Sequence, residues 1–196
     1  MKRLNLQINE ELIPGTILDR KNMGNVTGYD FLSKIFYISD GIMLSQIKEI
    51  SGIDGSTLQN WVKRGWVENS KLKRYNMDQV ANILIINMLR SCIQLDRIAF
   101  IVKYINGSVS DRSDDIICAS RLYDYICRIL DKLMLREGDC SVETLKECIA
   151  NETSDYVEKV SGASRRLQNA LEIIIVAYYA SILKKHTDER LAEIMN

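Results

Sequence analysis

The stretch Met43–Tyr75 constrains the fold of this chain most, because apolar spacing, glycines and basic residues follow one another there in a fixed order. Apolar residues recur every three positions over residues 43–51, which predicts a short helix with one buried face. Residues 52–55 contain two glycines and predict a sharp turn. Ser56 is expected to cap a second helix that ends at Gly65. Together these signals predict a helix-turn-helix.

A basic hairpin is predicted after the second helix, from two short extended pieces, Trp66–Val67 and Arg74–Tyr75. Over residues 56–75 the acidic residue Glu68 stands against five basic residues: Lys63, Arg64, Lys71, Lys73 and Arg74. A helix-turn-helix presents its second helix to the major groove of DNA, and lysines of a hairpin reach phosphates. We therefore expect double-stranded DNA as the partner, with a merely solvated basic face as the alternative interpretation.

The overall charge of the 196-residue chain is zero, so only the distribution of charge is informative. Residues 1–110 contain 14 Lys and Arg against 10 Asp and Glu, whereas residues 111–196 contain 12 against 16. This asymmetry is typical of a nucleic-acid-binding unit joined to an acidic partner unit. The whole chain contains one proline, which favours long helices.

The reactive residues form no catalytic or metal-binding pattern. No two cysteines have the C-x-x-C spacing, and the one histidine, His186, lies near the C-terminal end. Nucleophilic triads, zinc sites and glycine-rich phosphate loops all require patterns that this sequence lacks. We therefore expect no enzyme activity, no cofactor and no metal, with thiols buried in a reducing compartment and a redox or metal sensor as the alternative interpretation of the cysteines. The cysteines are Cys92, Cys118, Cys127, Cys140 and Cys148.

The sequence divides into three predicted units: an N-terminal arm at 1–25, a winged helix-turn-helix domain at 26–107, and a helical dimerisation or effector domain at 108–196. The arm is polar, contains turn signals and is expected to be poorly specified. The N-terminal segment lacks an apolar signal core and no apolar run is long enough to cross a bilayer, so we expect a cytoplasmic protein with no membrane partner. Within the second unit, further helices are expected at 26–38, 78–91 and 95–105.

The last unit is predicted to be a helical bundle that follows a polar linker at 108–114. Residues 115–136 carry apolar positions alternately three and four apart, a heptad seam that packs either within the subunit or against a second copy. Ser141 is expected to cap the next helix, and a long helix is expected at 163–185. Its predicted seam is Leu167, Leu171, Ile174, Tyr178 and Ile182, widened by Ile173, Ile175 and Val176.

Three partners fit this bundle: a second copy, a small-molecule effector, or another protein. A homodimer is expected because readers of paired DNA half-sites are usually two-fold dimers. Tyrosines and cysteines at helical spacing line either a small-molecule pocket or a plain core, and the core is the interpretation we favour. They are Tyr123, Tyr125, Tyr178, Tyr179, Cys118 and Cys127.

The Met43–Tyr75 stretch also carries a family resemblance. The pattern Thr57-Leu58-x-x-Trp61-x-x-x-Gly65-Trp66-Val67, followed by a basic hairpin and two apolar helices, resembles the DNA-binding half of MerR-type transcriptional regulators. A closer resemblance is to a bacterial family, domain of unknown function 1836, through Asn60-Trp61-Val62-Lys63 and Lys73-Arg74-Tyr75. The resemblance covers residues 29–107 and implies a winged helix-turn-helix that binds DNA.

Three positions depart from the MerR pattern. Gln59 stands where those regulators place an arginine, Asn60 replaces an aromatic residue or histidine, and Lys73 occupies the position of the wing arginine. Neither amides nor lysine supply the bidentate phosphate fork of arginine. Glutamine and asparagine can still bond to adenine edges or to phosphates.

We therefore expect a mostly α protein, a MerR-like winged helix-turn-helix followed by a helical C-terminal bundle, which acts as a dimeric transcriptional regulator. The alternative function is a protein-interaction adaptor that keeps the fold without binding DNA. Trp61 and Trp66 are expected to be structural. The expected DNA contacts are Ser56, Thr57, Gln59, Asn60, Lys63, Arg64, Lys71, Lys73, Arg74 and Tyr75.

Overall fold

A computed structural model describes residues 11–106, 115–134 and 141–195. Over these ranges the chain is mostly helical, as the sequence predicts, with a short 3₁₀ turn at Lys21–Met23. The helices are α1 (Gly28–Ile35), α2 (Leu44–Ser51), α3 (Gly55–Lys63), α4 (Met77–Leu89), α5 (Leu95–Asn106), α6 (Ala119–Met134), α7 (Val142–Glu152) and α8 (Ala163–Met195). The strands are β1 (Ile42–Met43) and β2 (Arg74–Tyr75).

The two short helices predicted in the Met43–Tyr75 stretch are α2 and α3. Gly52 ends α2 with φ = 69°, a left-handed conformation that glycine adopts without a steric penalty. The predicted start of α3 is wrong, because its N-cap is Asp54 and Ser56 already lies inside the helix. The Asp54 carboxylate accepts a hydrogen bond from the Thr57 amide at 2.8 Å, which satisfies one of the first free amides of the helix.

α3 is closed at Gly65, as predicted, with φ = 72° at that residue. The Gly65 amide donates to the Val62 carbonyl at 3.0 Å and the Trp66 amide donates to the Trp61 carbonyl at 2.9 Å. This pair of bonds defines a Schellman helix end. The predicted strand at Trp66–Val67 is wrong: the Trp66 amide is bonded to α3, and the Trp66 carbonyl accepts from the Asn82 side chain at 2.9 Å.

The partner strand of β2 is β1, which lies directly before α2. The two strands are antiparallel, with Ile42 opposite Tyr75 and Met43 opposite Arg74. Between Lys71 and Arg74 the chain reverses through two backbone hydrogen bonds of 3.0 and 2.9 Å. Residues 72 and 73 both have positive φ, 51° and 62°, which is the conformation of a two-residue type I′ turn. The strand pair therefore joins this tip turn, residues 71–74, to the start of α2.

A continuous hydrophobic core connects the N-terminal and C-terminal helices. α6 packs against α1 and α4, and α8 packs against α4, α5 and α7. The amide and hydroxyl of Ser120 at the start of α6 both donate to Asp78 of α4, at 2.9 and 2.7 Å. The predicted linker at 108–114 lies outside the described residues. The described helices on either side of residue 108 share this core. The domain boundary at that residue therefore remains a prediction from the sequence.

The heptad seam of α6 packs within the subunit. Tyr123, Ile126 and Leu130 are fully buried in the shared core. Tyr125 and Cys127 are also buried, which confirms the core interpretation for these side chains. Burial raises the pKa of the Cys127 thiol to about 12, so this thiol is protonated and unreactive at neutral pH.

Residues 11–25, the described part of the predicted N-terminal arm, are folded onto the body of the protein. Ile13 is fully buried, and the Pro14 carbonyl accepts a hydrogen bond from the Tyr123 hydroxyl at 2.7 Å. Arg20 forms a 2.6 Å ion pair with Asp131 of α6. The prediction of a poorly specified arm is therefore wrong for this segment, because contacts distant in sequence fix a chain that has no periodic pattern.

Candidate nucleic-acid interface

The exposed face of α3 carries Gln59, Asn60 and Lys63. Leu58 and Trp61 lie on the opposite face and are buried in the core. Because 59 and 63 are one helical turn apart with 60 beside them, the three side chains form one continuous surface. Over the described ranges Lys63 has no ion-pair partner. This surface therefore combines amides, which can bond to base edges, with an unpaired cation.

Arg64 extends this surface at the end of α3. Its guanidinium carbon lies 5.2 Å from the centre of the Trp66 ring, a cation–π geometry, and its Nε donates to the Asn60 side-chain oxygen at 3.3 Å. Trp66 thus supports Arg64 from one side while Asn60 orients it from another. Trp61 is 1% exposed, and the Arg90 guanidinium lies 5.8 Å from its ring. Both tryptophans have the structural roles that the sequence predicts.

The first turn of α3 is organised around the carboxylate of Asp54. The hydroxyls of Ser56 and Thr57 both donate to it, the Thr57 hydroxyl at 2.7 Å. These hydrogen bonds, from Ser56 and then from Thr57, hold the pKa of the Asp54 carboxyl well below its usual range. A negative charge therefore stands at the N-terminus of α3 and opposes phosphate binding there. Ser56 and Thr57 orient their hydroxyl protons toward Asp54 instead of toward a ligand.

The tip turn carries two cations and an apolar residue. Lys71 and Lys73 are exposed and have no ion-pair partner in the part of the chain that the structure describes. Leu72 between them is 96% exposed. Its left-handed backbone costs an L-residue roughly 1–2 kcal/mol, and conformations of this kind concentrate at functional surfaces. Sequence reasoning missed Leu72, although a leucine between two lysines in a predicted turn is itself unusual.

Arg74 and Tyr75 support the tip turn from behind. One terminal nitrogen of Arg74 donates to the Gly41 carbonyl at 2.8 Å and to the Ser39 hydroxyl at 3.3 Å. Tyr75 is 7% exposed, so its ring belongs to the core. We therefore remove Tyr75 from the expected DNA contacts and assign it a structural role. Anchoring of Arg74 leaves Lys71 and Lys73 as the cations of the tip.

A glutamine of α4 fixes the chain that leads into the tip turn. Asn76 and Gln79 form a reciprocal capping box, with hydrogen bonds of 2.8 and 2.9 Å. The Gln79 side-chain nitrogen also donates to the Asn69 carbonyl at 2.9 Å. Gln79 is 4% exposed, so these bonds form in a water-poor environment. The sequence signal that was missed is an asparagine followed three residues later by glutamine at a helix start.

The described residues offer little chemistry of other kinds. They contain no group of three or more His, Cys, Asp or Glu side chains that could hold a metal ion. None of the described helices combines the length and the apolar character required to cross a membrane. The described cysteines are free thiols, and Cys127 and Cys148 are buried as predicted. Cys92 and Cys118 are exposed, so the prediction of buried thiols is wrong for these two.

Comparison with known proteins places this surface inside a recognised sequence unit. Residues 31–126 match the model of a domain of unknown function (DUF1836). The match begins in α1, contains α3 and the tip turn, and ends within α6, so it includes helices on both sides of residue 108. This confirms the resemblance to that family over this range. The description of the family names no activity.

A protein of similar sequence is the uncharacterized protein YkrK of Bacillus subtilis (strain 168). It is 29% identical over 150 residues, which cover 74% of this chain and 64% of the relative. The match therefore spans less than two thirds of the length of the relative. No solved structure matches the chain significantly.

Proposed function

We propose that this chain is a cytoplasmic transcriptional regulator that binds double-stranded DNA as a dimer through a MerR-like winged helix-turn-helix. In this proposal α2 and α3 form the helix-turn-helix and the tip turn is the wing. The observation that carries it is that Lys63, Lys71 and Lys73 have no ion-pair partner among the described residues, while α3 exposes two amides beside the first of them. Unpaired cations beside amides are suited to DNA, because the cations can contact phosphates and the amides can bond to base edges.

α3 is assigned to the major groove, with residues 59–64 facing the DNA. Gln59 and Asn60 carry amides, which can bond to adenine edges, and Lys63 and Arg64 are suited to flanking phosphates. The charge of Asp54 disfavours an approach in which the N-terminus of α3 points at a phosphate. Its middle and last turns are therefore the contacting segment, and Ser56 and Thr57 serve to shape the first turn.

The tip turn is assigned to the sugar–phosphate backbone and the adjacent minor groove. Lys71 and Lys73 replace counterions on phosphates, which makes binding depend steeply on salt. Leu72 projects between them and contacts the minor-groove wall, where apolar side chains of other DNA-binding proteins are found. Arg74 holds the turn in position through Gly41 and Ser39.

The test is a fluorescence anisotropy titration of the full chain against a random-sequence double-stranded DNA pool at several salt concentrations. We expect Lys71→Ala with Lys73→Ala to weaken binding and to reduce the slope of log affinity against log salt by about 2, since each phosphate contact contributes about 0.9. The matched control is Lys132→Ala with Lys159→Ala, which removes two exposed lysines from other parts of the chain and should leave the slope unchanged.

Two results would contradict the proposal. Equal slopes for the two double variants would show that the tip turn does not contact DNA. If the wild-type chain shows no salt-dependent binding to any DNA pool, the regulator function fails, and the fold is then better assigned to a protein-interaction adaptor.

A further inference from the structure

Residues 11–20, the strap, form a closed hairpin that contacts α2, α4 and α6. The Ile13 amide donates to the Leu18 carbonyl at 2.9 Å. The Thr16 hydroxyl donates to the Ile13 carbonyl at 2.9 Å and accepts from the Leu18 amide at 3.0 Å. These bonds give the strap a defined shape, so it can hold its neighbours at fixed distances. The strap precedes residues 31–126, which match the family model.

The strap is attached to α6 at two points. The Tyr123 hydroxyl donates to the Pro14 carbonyl at 2.7 Å, and Arg20 forms its ion pair with Asp131 at 2.6 Å. Tyr123 is fully buried, and this burial raises the pKa of its phenol well above the usual value. The hydroxyl therefore stays protonated and remains a hydrogen-bond donor at neutral pH. Two points of the strap are thus fixed to the C-terminal half of the chain.

The strap is also attached to the end of α2. The Ile17 amide donates to the Ile50 carbonyl, in the last turn of α2, at 3.0 Å. Carbonyls at a helix end have no partner within the helix, so a donor from another segment satisfies this one. A Cβ added to Gly52, which ends α2, would lie 2.9 Å from a methyl carbon of the Ile17 side chain. The strap therefore touches the turn that leads from α2 into α3.

Asn87 of α4 joins the strap and the α2–α3 turn through one side-chain amide. Its nitrogen donates to the Gly15 carbonyl at 2.9 Å and to the Ser51 carbonyl at 2.9 Å. Gly15 itself lies against α4, since it has φ = 76° and an added Cβ would lie 2.4 Å from the Leu84 carbonyl oxygen. Both the backbone conformation and the space at this position therefore require glycine. An amide that uses both of its protons on two distant segments fixes their separation.

We propose that the strap and Asn87 are positioning elements that hold the α2–α3 turn on α4 and α6 and so set the direction of the exposed face of α3. α3 packs against α2, so a displacement of the α2 end is passed on to α3. Beyond the other end of α3, the Asn82 side chain donates to the Trp66 carbonyl at 2.9 Å. Release of the strap leaves this second attachment in place and allows α3 to rotate about it.

The effect of the strap on DNA binding rests on the proposed function. Hydrogen bonds from amides to base edges need donor and acceptor about 3 Å apart and well aligned. Contacts between lysines and phosphates depend on charge and tolerate a displaced helix better. Release of the α2–α3 turn should therefore weaken binding to a preferred sequence more than binding to random DNA. A strap that only stabilises the fold would affect both kinds of DNA equally.

Two variants of the full chain release the strap, and each has a matched control. Gly15→Ala is compared with Gly162→Ala, because both glycines have left-handed backbones, with φ of 76° and 81°. Nothing lies within 4 Å of a Cβ added to Gly162, so only Gly15→Ala also pushes against α4. Asn87→Asp replaces the donor by an acceptor that faces two carbonyl oxygens. Its control is Asn106→Asp, because the Asn106 side chain also donates to a backbone carbonyl, that of Ile117.

Hydrogen exchange of the DNA-free chain measures how firmly the turn is held. We expect Gly15→Ala and Asn87→Asp to speed exchange in residues 50–57 by about tenfold, because the locally opened state becomes more populated. Exchange in residues 142–152 of α7 should stay at the wild-type rate, and neither control should change residues 50–57. Unchanged exchange in the turn, or an equal change in α7, would overturn the attachment of the turn by the strap.

The second measurement is anisotropy with two DNA probes: the sequence that the wild type enriches from a random library, and the random pool itself. We expect both strap variants to lose about tenfold in affinity for the enriched sequence and about twofold at most for the pool. Equal losses on both probes, or no loss on either, would overturn the positioning of α3. If the wild type enriches no sequence, the proposed function fails, and the exchange rates still decide whether the strap holds the turn.

Discussion

At the scale of single residues, Leu72 is the side chain that folding explains least. It is 96% exposed, it adopts φ = 51°, and it occupies a turn type that favours asparagine and glycine. A leucine there neither fills the core nor relieves the backbone. A contact between the tip turn and DNA would explain an exposed leucine with this backbone conformation.

A DNA contact through Leu72 predicts opposite effects of Leu72→Asn on stability and on binding. Asparagine tolerates the left-handed region, so the free energy of unfolding in urea should rise by about 1 kcal/mol. DNA affinity in the anisotropy titration should fall several-fold, because the apolar contact is lost. A variant that gains stability and keeps full affinity would show that Leu72 makes no DNA contact.

Tyr75 and Ser56 are two residues whose roles the sequence pattern predicted wrongly. A tyrosine beside basic residues suggested a DNA contact, yet pairing with β1 turns the Tyr75 ring into the core. Ser56 is a good capping residue, but Asp54 two positions earlier takes that role and uses Ser56 as a donor. In both cases a competing partner a few residues away, or across a strand pair, decided the outcome.

At the scale of elements, the start of α3 depends on the ionised carboxylate of Asp54. The folded protein holds its pKa well below the usual value through hydrogen bonds from Ser56 and Thr57. Because the pKa of Asp54 is lower in the folded protein than in the unfolded chain, ionised Asp54 stabilises the fold. This stabilisation is fully present when the pH is above the pKa of the unfolded chain, about 3.9, and it is lost as the pH falls towards the pKa of the folded protein.

Asp54→Asn should therefore lower the thermal midpoint at pH 7, because a neutral amide accepts these hydrogen bonds less strongly than a carboxylate. The difference from the wild type should shrink as pH falls below about 4, where the unfolded wild type becomes protonated. Thermal melts followed by circular dichroism across this pH range measure both effects. A difference in midpoint that does not change with pH would contradict the assignment of Asp54 as a charged cap.

Helices with strong local signals were predictable, and elements defined by distant contacts were not. The core helices α4 and α5 begin and end within a residue or two of their predicted positions, and Ser141 caps α7 as expected. β1 is two residues long and pairs with a strand about thirty residues away, so periodicity gives no sign of it. The end of α8 at Met195 was also missed by ten residues, because the charged residues 186–195 lack the buried seam on which the prediction relied. Ile173 and Val176 were assigned to that seam, but they are 49% and 52% exposed because the seam lies on the opposite side of α8.

At the scale of the whole molecule, the described helices behave as one packed unit. Ile13 near the N-terminal end, α4 in the middle and α6 beyond residue 108 contribute to the same core. Hydrogen bonds from Ser120 to Asp78 and from Tyr123 to Pro14 connect these parts across the sequence. The composition of the sequence suggested a domain boundary at residue 108. However, α6, which follows this residue, packs against α1 and α4, which precede it.

We therefore expect a single cooperative unfolding transition. Trp61 and Trp66 report on the surroundings of α3, whereas far-ultraviolet circular dichroism reports on all helices, including α6 to α8. Urea midpoints measured by tryptophan fluorescence and by circular dichroism should coincide. Two separated midpoints would show that the units on either side of residue 108 fold independently.

Sequence-specific DNA binding is tested most directly by selecting the sequences that the full chain binds from a random double-stranded DNA library. We expect an enriched inverted repeat, with half-sites about one helical turn apart. Gln59→Ala with Asn60→Ala should abolish this enrichment while salt-dependent, sequence-independent binding remains. A wild-type selection that enriches no sequence over the input library would contradict sequence-specific DNA binding by this chain.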